Sequence, residues 1–101
     1  MSKFIVLPDV RTDLFAIWQY IADDSVDAAD KVVAKIEDAF LKLGDMPGMG
    51  HFREDLLDKR HKFWSVHSYL IVYRWQSSPI EIVAVVHGAR DLDSFFSRRL
   101  L

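Results

Sequence analysis

The hydrophobic period of this chain changes once. From residue 9 to about residue 45 apolar side chains recur at helical spacing, and from about residue 62 they recur at alternate positions. Such a chain makes a helical layer first and a sheet afterwards, each with an apolar side to bury against the other. Phe4-Ile5-Val6-Leu7 precedes both as a short strand ended by Pro8, and Asp9 stands where the cap of a first helix is expected. Leu14, Ile17, Trp18 and Ile21 form that helix's stripe, broadened by Phe15 and Tyr20, with Trp18 expected between the helices. Asp23-Asp24-Ser25 breaks it, and Ser25 is placed to cap a second helix carrying Val32, Ile36, Ala39, Phe40 and Leu43 on one face. Gly44 suits a left-handed cap, and Pro47 prevents continuation.

After a loop from Met46 to Asp58, strands are expected over Lys62–His67, Tyr69–Trp75 and Ile80–His87, rich in Val, Ile, Tyr and Trp. The order is β-α-α-β-β-β with a C-terminal tail. It describes an α+β domain spanning residues 1–101, with a helical hairpin on one face of a small antiparallel-rich sheet. Strict alternation puts Leu70 and Val72 on one face of the middle strand and Tyr69, Ile71, Tyr73 and Trp75 on the other. In the last strand it sets Ile80, Ile82, Ala84 and Val86 against Glu81, Val83, Val85 and His87. Both faces are then largely apolar, whereas a sheet covered on one side shows polar residues on the other. The second face needs a cover: the tail, through Leu92, Phe95, Phe96, Leu100 and Leu101, or a second protein.

Composition removes several classes. With no cysteine there is no disulfide framework, thiol catalysis or thiolate zinc site. No apolar run reaches the ~18–20 residues of a membrane span, and the N-terminal stretch is too short for a signal peptide, so a cytoplasmic protein is expected. The net charge of −2 and pI near 6.0 do not suit a dedicated nucleic-acid binder. Residues 51–101 do hold eight Lys/Arg against six Asp/Glu, densest at Lys59-Arg60-His61-Lys62 and Arg98-Arg99. His51, His61, His67 and His87 lack the spacing and companion ligands of a metal site, so neither metal nor cofactor is expected.

Ordered segments of the chain resemble one family. Asp13-Leu14-Phe15-Ala16-Ile17-Trp18-Gln19-Tyr20-Ile21-Ala22 is similar to the first-helix signature of the ParE/RelE toxins. The resemblance continues through Leu43…Pro47-Gly48…Gly50, Arg53-Glu54-Asp55-Leu56, Tyr69-Leu70-Ile71-Val72-Tyr73-Arg74 and Ile82-Val83-Ala84-Val85-Val86-His87-Gly88-Ala89-Arg90-Asp91-Leu92. It implies a β-α-α-β-β-β fold and a toxin silenced by an antitoxin that wraps it. Two activities divide the family: ParE-like members poison DNA gyrase, and RelE-like members cleave messenger RNA on the ribosome.

Metal-free RNA cleavage needs a base for the 2′-hydroxyl, an acid for the leaving oxygen and cations for the phosphorane. Lys59, His61, Arg74, His87 and Arg90 form the available partial set. The C-terminal tyrosine that the resemblance implies for RelE-like enzymes is missing, since Phe95 and Phe96 transfer no protons. The ParE-like branch is therefore the expected one: a non-enzymatic gyrase inhibitor held in a hetero-oligomer by a ParD-like antitoxin, with no direct DNA or membrane contact. The resemblance places the target surface at His87, Arg90, Phe95, Phe96, Arg98 and Arg99. Antitoxin contact is expected on Tyr69, Ile71, Tyr73, Arg74, Trp75, Val83 and Val85. Arg90 and Asp91 are also read as structural, pairing with Asp13 or Arg53, and Trp75 as either edge packing or contact.

Overall fold

The computed structural model describes residues 3–100 as β1 (Phe4–Val6), α1 (Pro8–Ala22), α2 (Val26–Asp45), a 3-10 turn (Pro47–Met49), β2 (His61–Val66), β3 (Tyr69–Arg74), β4 (Ile80–His87) and α3 (Leu92–Leu100). Leu101 lies outside the described residues. The sheet runs β1-β4-β3-β2, with β1 parallel to β4 and the other pairs antiparallel. The α+β order is as expected, and the tail is itself a helix.

Local chemistry explains most boundaries. Pro8 lacks an amide hydrogen and has φ suited to a first helical turn, so α1 starts there and Leu7, not Asp9, takes the cap position. Ser25 caps α2 by accepting a hydrogen bond from the Ala28 amide at 3.1 Å. Gly44 is not a left-handed cap. The helix runs on through Asp45, and a Cβ at Gly44 would sit 3.0 Å from Lys3 Cβ and 3.3 Å from the Lys3 carbonyl, so glycine serves close approach there. Strand β2 begins one residue earlier than expected, at His61, and ends at Val66, because His67 takes a φ of 53° in the two-residue turn to β3. Trp75 falls just beyond β3.

The hairpin of α1 and α2 packs on one face of the sheet. Val10, Ile17, Ile36, Phe40 and Leu43 meet Tyr69, Ile71, Tyr73, Ile80, Ile82 and Val85. Trp18 joins the two helices, its indole N–H donating to Asp30 Oδ1 at 2.8 Å. The alternation expected in β3 is present, but that of β4 is interrupted. Val72 pairs with Ala84 and Tyr73 with Ile82, leaving Val83 as the extra residue of a bulge. The bulge shifts the phase of the strand by one residue. Val85 therefore faces the hairpin with Ile80 and Ile82, while Val83, Ala84 and Val86 share the opposite face.

That opposite face is covered by the chain's own tail. Phe95 and Phe96 of α3 are 6% and 2% exposed, and they pack with Leu92, Leu100, Leu56 and Leu57 over Phe63, Val72, Val83, Ala84 and Val86. Phe96 meets Phe63 edge-on at 5.8 Å. Of the two covers weighed above, the tail is the one present, and the sheet is a middle layer buried on both sides.

Candidate functional site: a groove at the unpaired edge of the sheet

The basic set considered for RNA cleavage does not converge. His61 and Glu81 lie opposite Arg74 at one end of the sheet, and His87 lies opposite Tyr69 at the other. Five steps of about 3.4 Å separate Tyr69 from Arg74, roughly 17 Å. The faces differ too: His87 stacks edge-on against Tyr69 at 5.2 Å, on the hairpin side. Arg74 is ion-paired to Glu81 at 3.1 Å, across the β3–β4 pair. His61 is 6% exposed, and neither ring nitrogen makes a hydrogen bond; its Nδ1 stands 3.5 Å from Asp58 Oδ1. Burial pushes its pKa below the ordinary value, opposed by Asp58 and reinforced by Arg74. Lys59 points outward, 3.8 Å from Glu54. No base, acid and cation face one space here.

The second cluster near that end is a structural joint. Lys62, although buried, donates to the carbonyls of Gly48 at 3.1 Å and Gly50 at 3.2 Å, beneath the rings of Phe52 and Trp75 at 4.5 and 4.8 Å. The Tyr73 hydroxyl accepts from the Gly50 amide at 2.9 Å and donates to the Pro47 carbonyl at 2.7 Å. Burial raises the Tyr73 pKa, with the Gly50 hydrogen bond opposing it. The Trp75 indole donates to the Lys59 carbonyl at 2.9 Å, which makes Trp75 an edge-packing residue. Two segments that looked unrelated along the chain, Pro47–Gly50 and Tyr69–Arg74, are thus one device that fixes a loop to the sheet.

A groove of about 650 Å³ opens at the other end, between α1 and α3 along β4. Its cause is the length of β1, which pairs with Ile80, Glu81 and Ile82 and, among the described residues, leaves β4 from Val83 to His87 with no strand on that side. Two side chains stand in for that strand. Asp13 of α1 accepts from the Val85 amide at 3.0 Å, and Arg99 of α3 donates to the Val83 carbonyl at 3.3 Å. They also pair with each other at 2.6 Å, and Arg99 reaches Asp9 at 3.4 Å. Tyr20, Tyr69, His87 and Arg90 line the rest of the groove. Burial raises the Tyr69 pKa, and the nearby Tyr20 hydroxyl adds to the shift.

Several expected site residues are placed differently from their assigned roles. Ile71 and Tyr73 are packed under the hairpin and Val83 under α3, Tyr69 and Val85 are buried there too and reach only the wall of the groove, and of that set Arg74 and Trp75 remain partly exposed. Phe95 and Phe96 are core residues, and Arg99 is held by Asp13 and Asp9, which leaves His87, Arg90 and Arg98 exposed. Arg90 does not pair with Asp13; its guanidinium lies 5.1 Å from the Phe95 ring. Asp91 caps α3, accepting from the Ser94 amide and hydroxyl, and these bonds lower its pKa. The sequence offered Asp13 only as a partner for Arg90 or Asp91, and nothing in the pattern marked Arg99 as the residue it pairs with.

The family comparison bears on the chain through this geometry. The model of the ParE toxin of type II toxin–antitoxin system, parDE, matches residues 4–92. The chain belongs to the ParE toxin family. No curated protein matches it significantly. The ParE match takes in the loop joint, the bulge and the open edge of β4, and ends where α3 begins. A ParE toxin acts as one half of a toxin–antitoxin pair, which makes an antitoxin the partner of this fold in general terms. Among the described residues, no three candidate ligands gather for a metal, and no helix is long and apolar enough to cross a membrane.

Proposed function

We propose that this chain arrests growth by inhibiting DNA gyrase and is neutralised by a ParD-like antitoxin. The observation that carries the reading is the ParE family match over residues 4–92. Supporting it, the residues RNA cleavage would need stand at opposite ends of the sheet, and the basic ones at the Arg74 end are tied to carboxylates or buried without a partner. An inhibitor that works by binding needs no such convergence, only a presented surface. That surface is His87, Arg90 and Arg98, carried on the end of β4 and on α3, with Phe95 and Phe96 as the packing that holds the helix in place.

Inducing the chain in bacteria without an antitoxin tests this directly, with DNA and messenger integrity followed in parallel. Filamentation, DNA breaks and intact messenger are expected, along with inhibition of supercoiling by purified gyrase. Rapid messenger cleavage with intact chromosomes would move the assignment to a ribosome-dependent nuclease using Lys59, His61, Arg74, His87 and Arg90. Removing Ser97 to Leu101 is expected to reduce toxicity while sparing antitoxin binding.

A further inference from the structure

Residues 53–60, between the loop joint and β2, form a segment whose charges answer one another. Arg53 pairs with Asp55 at 2.9 Å, Lys59 stands 3.8 Å from Glu54, and Arg60 pairs with Asp58 at 2.7 Å. Its turn is internal too, with the Leu56 and Leu57 amides donating to the Arg53 carbonyl. The segment is fastened to the rest of the molecule by Leu56 and Leu57 on the second face of the sheet and by the Trp75 indole N–H on the Lys59 carbonyl. The His61 amide, donating to the Asp58 carbonyl at 3.1 Å, holds its end.

The chain enters β2 at His61, directly after this segment. Its ring lies between two ion pairs: Arg74, opposite it on β3, is held by Glu81 of β4, and Arg60, in the segment, is held by Asp58. The residue is 6% exposed, and neither ring nitrogen has a hydrogen-bond partner. A neutral imidazole carries one N–H and one acceptor, so the closed fold answers neither, and a proton would add a second N–H and a charge. The carboxylate that could meet that charge, Asp58 Oδ1, stands 3.5 Å from Nδ1 and is already engaged by the amide and guanidinium of Arg60. Burial acts most strongly against a proton on the ring, Asp58 favours one, and Arg74 and Arg60 oppose it.

We infer that His61 is an acid-operated latch: once protonated, its ring leaves the buried position and residues 53–60 open as a unit, while the hairpin and sheet stay folded. The opening is local because the segment's ion pairs travel with it and the contacts it breaks are few. It lifts Leu56 and Leu57 off the cluster that beds α3 with Phe63 and Phe96, so acidity reaches the helix that carries Arg98. In the open segment the ring is solvated and takes a proton near the ordinary value of about 6.5. Below that pH the open fraction gains up to about tenfold per pH unit, until the closed ring's own lower value is reached. Above it the latch is shut.

Native-state hydrogen exchange of the full chain between pH 7 and pH 5, corrected for intrinsic rates, reads the opening amide by amide. The Leu57 and His61 amides should exchange through an event with little urea dependence, whereas amides in β3 wait for global unfolding and depend on urea steeply. Protection of the two segment amides is expected to fall about three- to tenfold per pH unit below ~6.5, and to stay level in His61→Leu. Level protection in the native chain, with the His61 ring titrating where it lies, overturns the latch. So does a fall that shares the steep urea dependence of β3, since the acid event is then global unfolding. A folded His61→Leu that keeps the slope assigns it to another group and overturns the role of His61. The pH and urea readings are made on the unaltered chain, so they decide the matter even where the Leu variant does not fold.

Discussion

Single residues carry more here than their number suggests. Tyr73→Phe leaves the Gly50 amide without its acceptor and the Pro47 carbonyl without its donor. A cost of ~1–3 kcal/mol is expected, read as a lower urea midpoint with unchanged slope. His61 gives a pH signature whose sign follows from its lowered pKa. The unfolded chain takes a proton near the ordinary 6.5 while the folded chain resists. This residue therefore contributes a stability that is intact above 6.5 and declines as pH falls toward the folded value. Asp58, held below the usual carboxylate range by Arg60, stays charged throughout that window. Denaturation between pH 7 and pH 5 should show the slope in the native chain and a flatter one in His61→Leu, which also removes two unpartnered polar atoms. His67, left-handed in the β2–β3 turn, offers a gain: His67→Gly should add up to ~1 kcal/mol, seen as a higher Tm.

At the scale of elements, helices and strands were legible because their periods are local, and their faces were legible only as far as the period held. The stripe Val32, Ile36, Ala39, Phe40, Leu43 needed nothing beyond itself. The phase change in β4 did: Ile80 to His87 reads as one uninterrupted strand, and only pairing with β3 shows that Val83 is supernumerary. Gly44 was misread for a related reason, since its role is set by Lys3 across 41 positions of sequence, where a local cap rule has no information. The tail's apolar residues announced that a face needed covering, but not which of two covers would take it. Now that α3 is seen to be the cover, Phe96→Ala is expected to cost ~3–5 kcal/mol, much of a small domain's stability. Binding of a hydrophobic dye to that variant, and not to Ser25→Ala, which should lose only ~1 kcal/mol, would separate undocking of α3 from general weakening.

For the whole molecule, the candidate site was the least legible part, because it exists only where three distant segments meet. Asp13 on α1, Val83 to His87 on β4 and Arg99 on α3 come from opposite ends of the chain, and the groove they make is a consequence of how short β1 is. Basic residues grouped by composition were dispersed by the fold, since the strand that carries Arg74 also sets it as far as it can be from His87. A chain ended before Leu92 should remain paired as a sheet but self-associate, with light scattering rising with concentration, because Phe63, Val72 and Val86 would be bared.

The bulge at Val83 also bears on which changes of length the protein can survive. Removing Val83 would restore simple alternation and leave both halves of β4 in their layers, because Ile80, Ile82, Val85 and His87 would then fall at alternate positions on the hairpin face. A deletion outside the bulge, at Glu81 or Val86, would instead keep the phase shift and turn Ile80 or His87 out of the hairpin layer. Substitution along this strand is a matter of fit at one site, whereas a one-residue deletion away from the bulge moves every side chain beyond it. The bulge is accordingly the one place where β4 can lose a residue and keep both layers, while the turn over Gln76 to Ser78, outside both layers, is where the chain can lengthen.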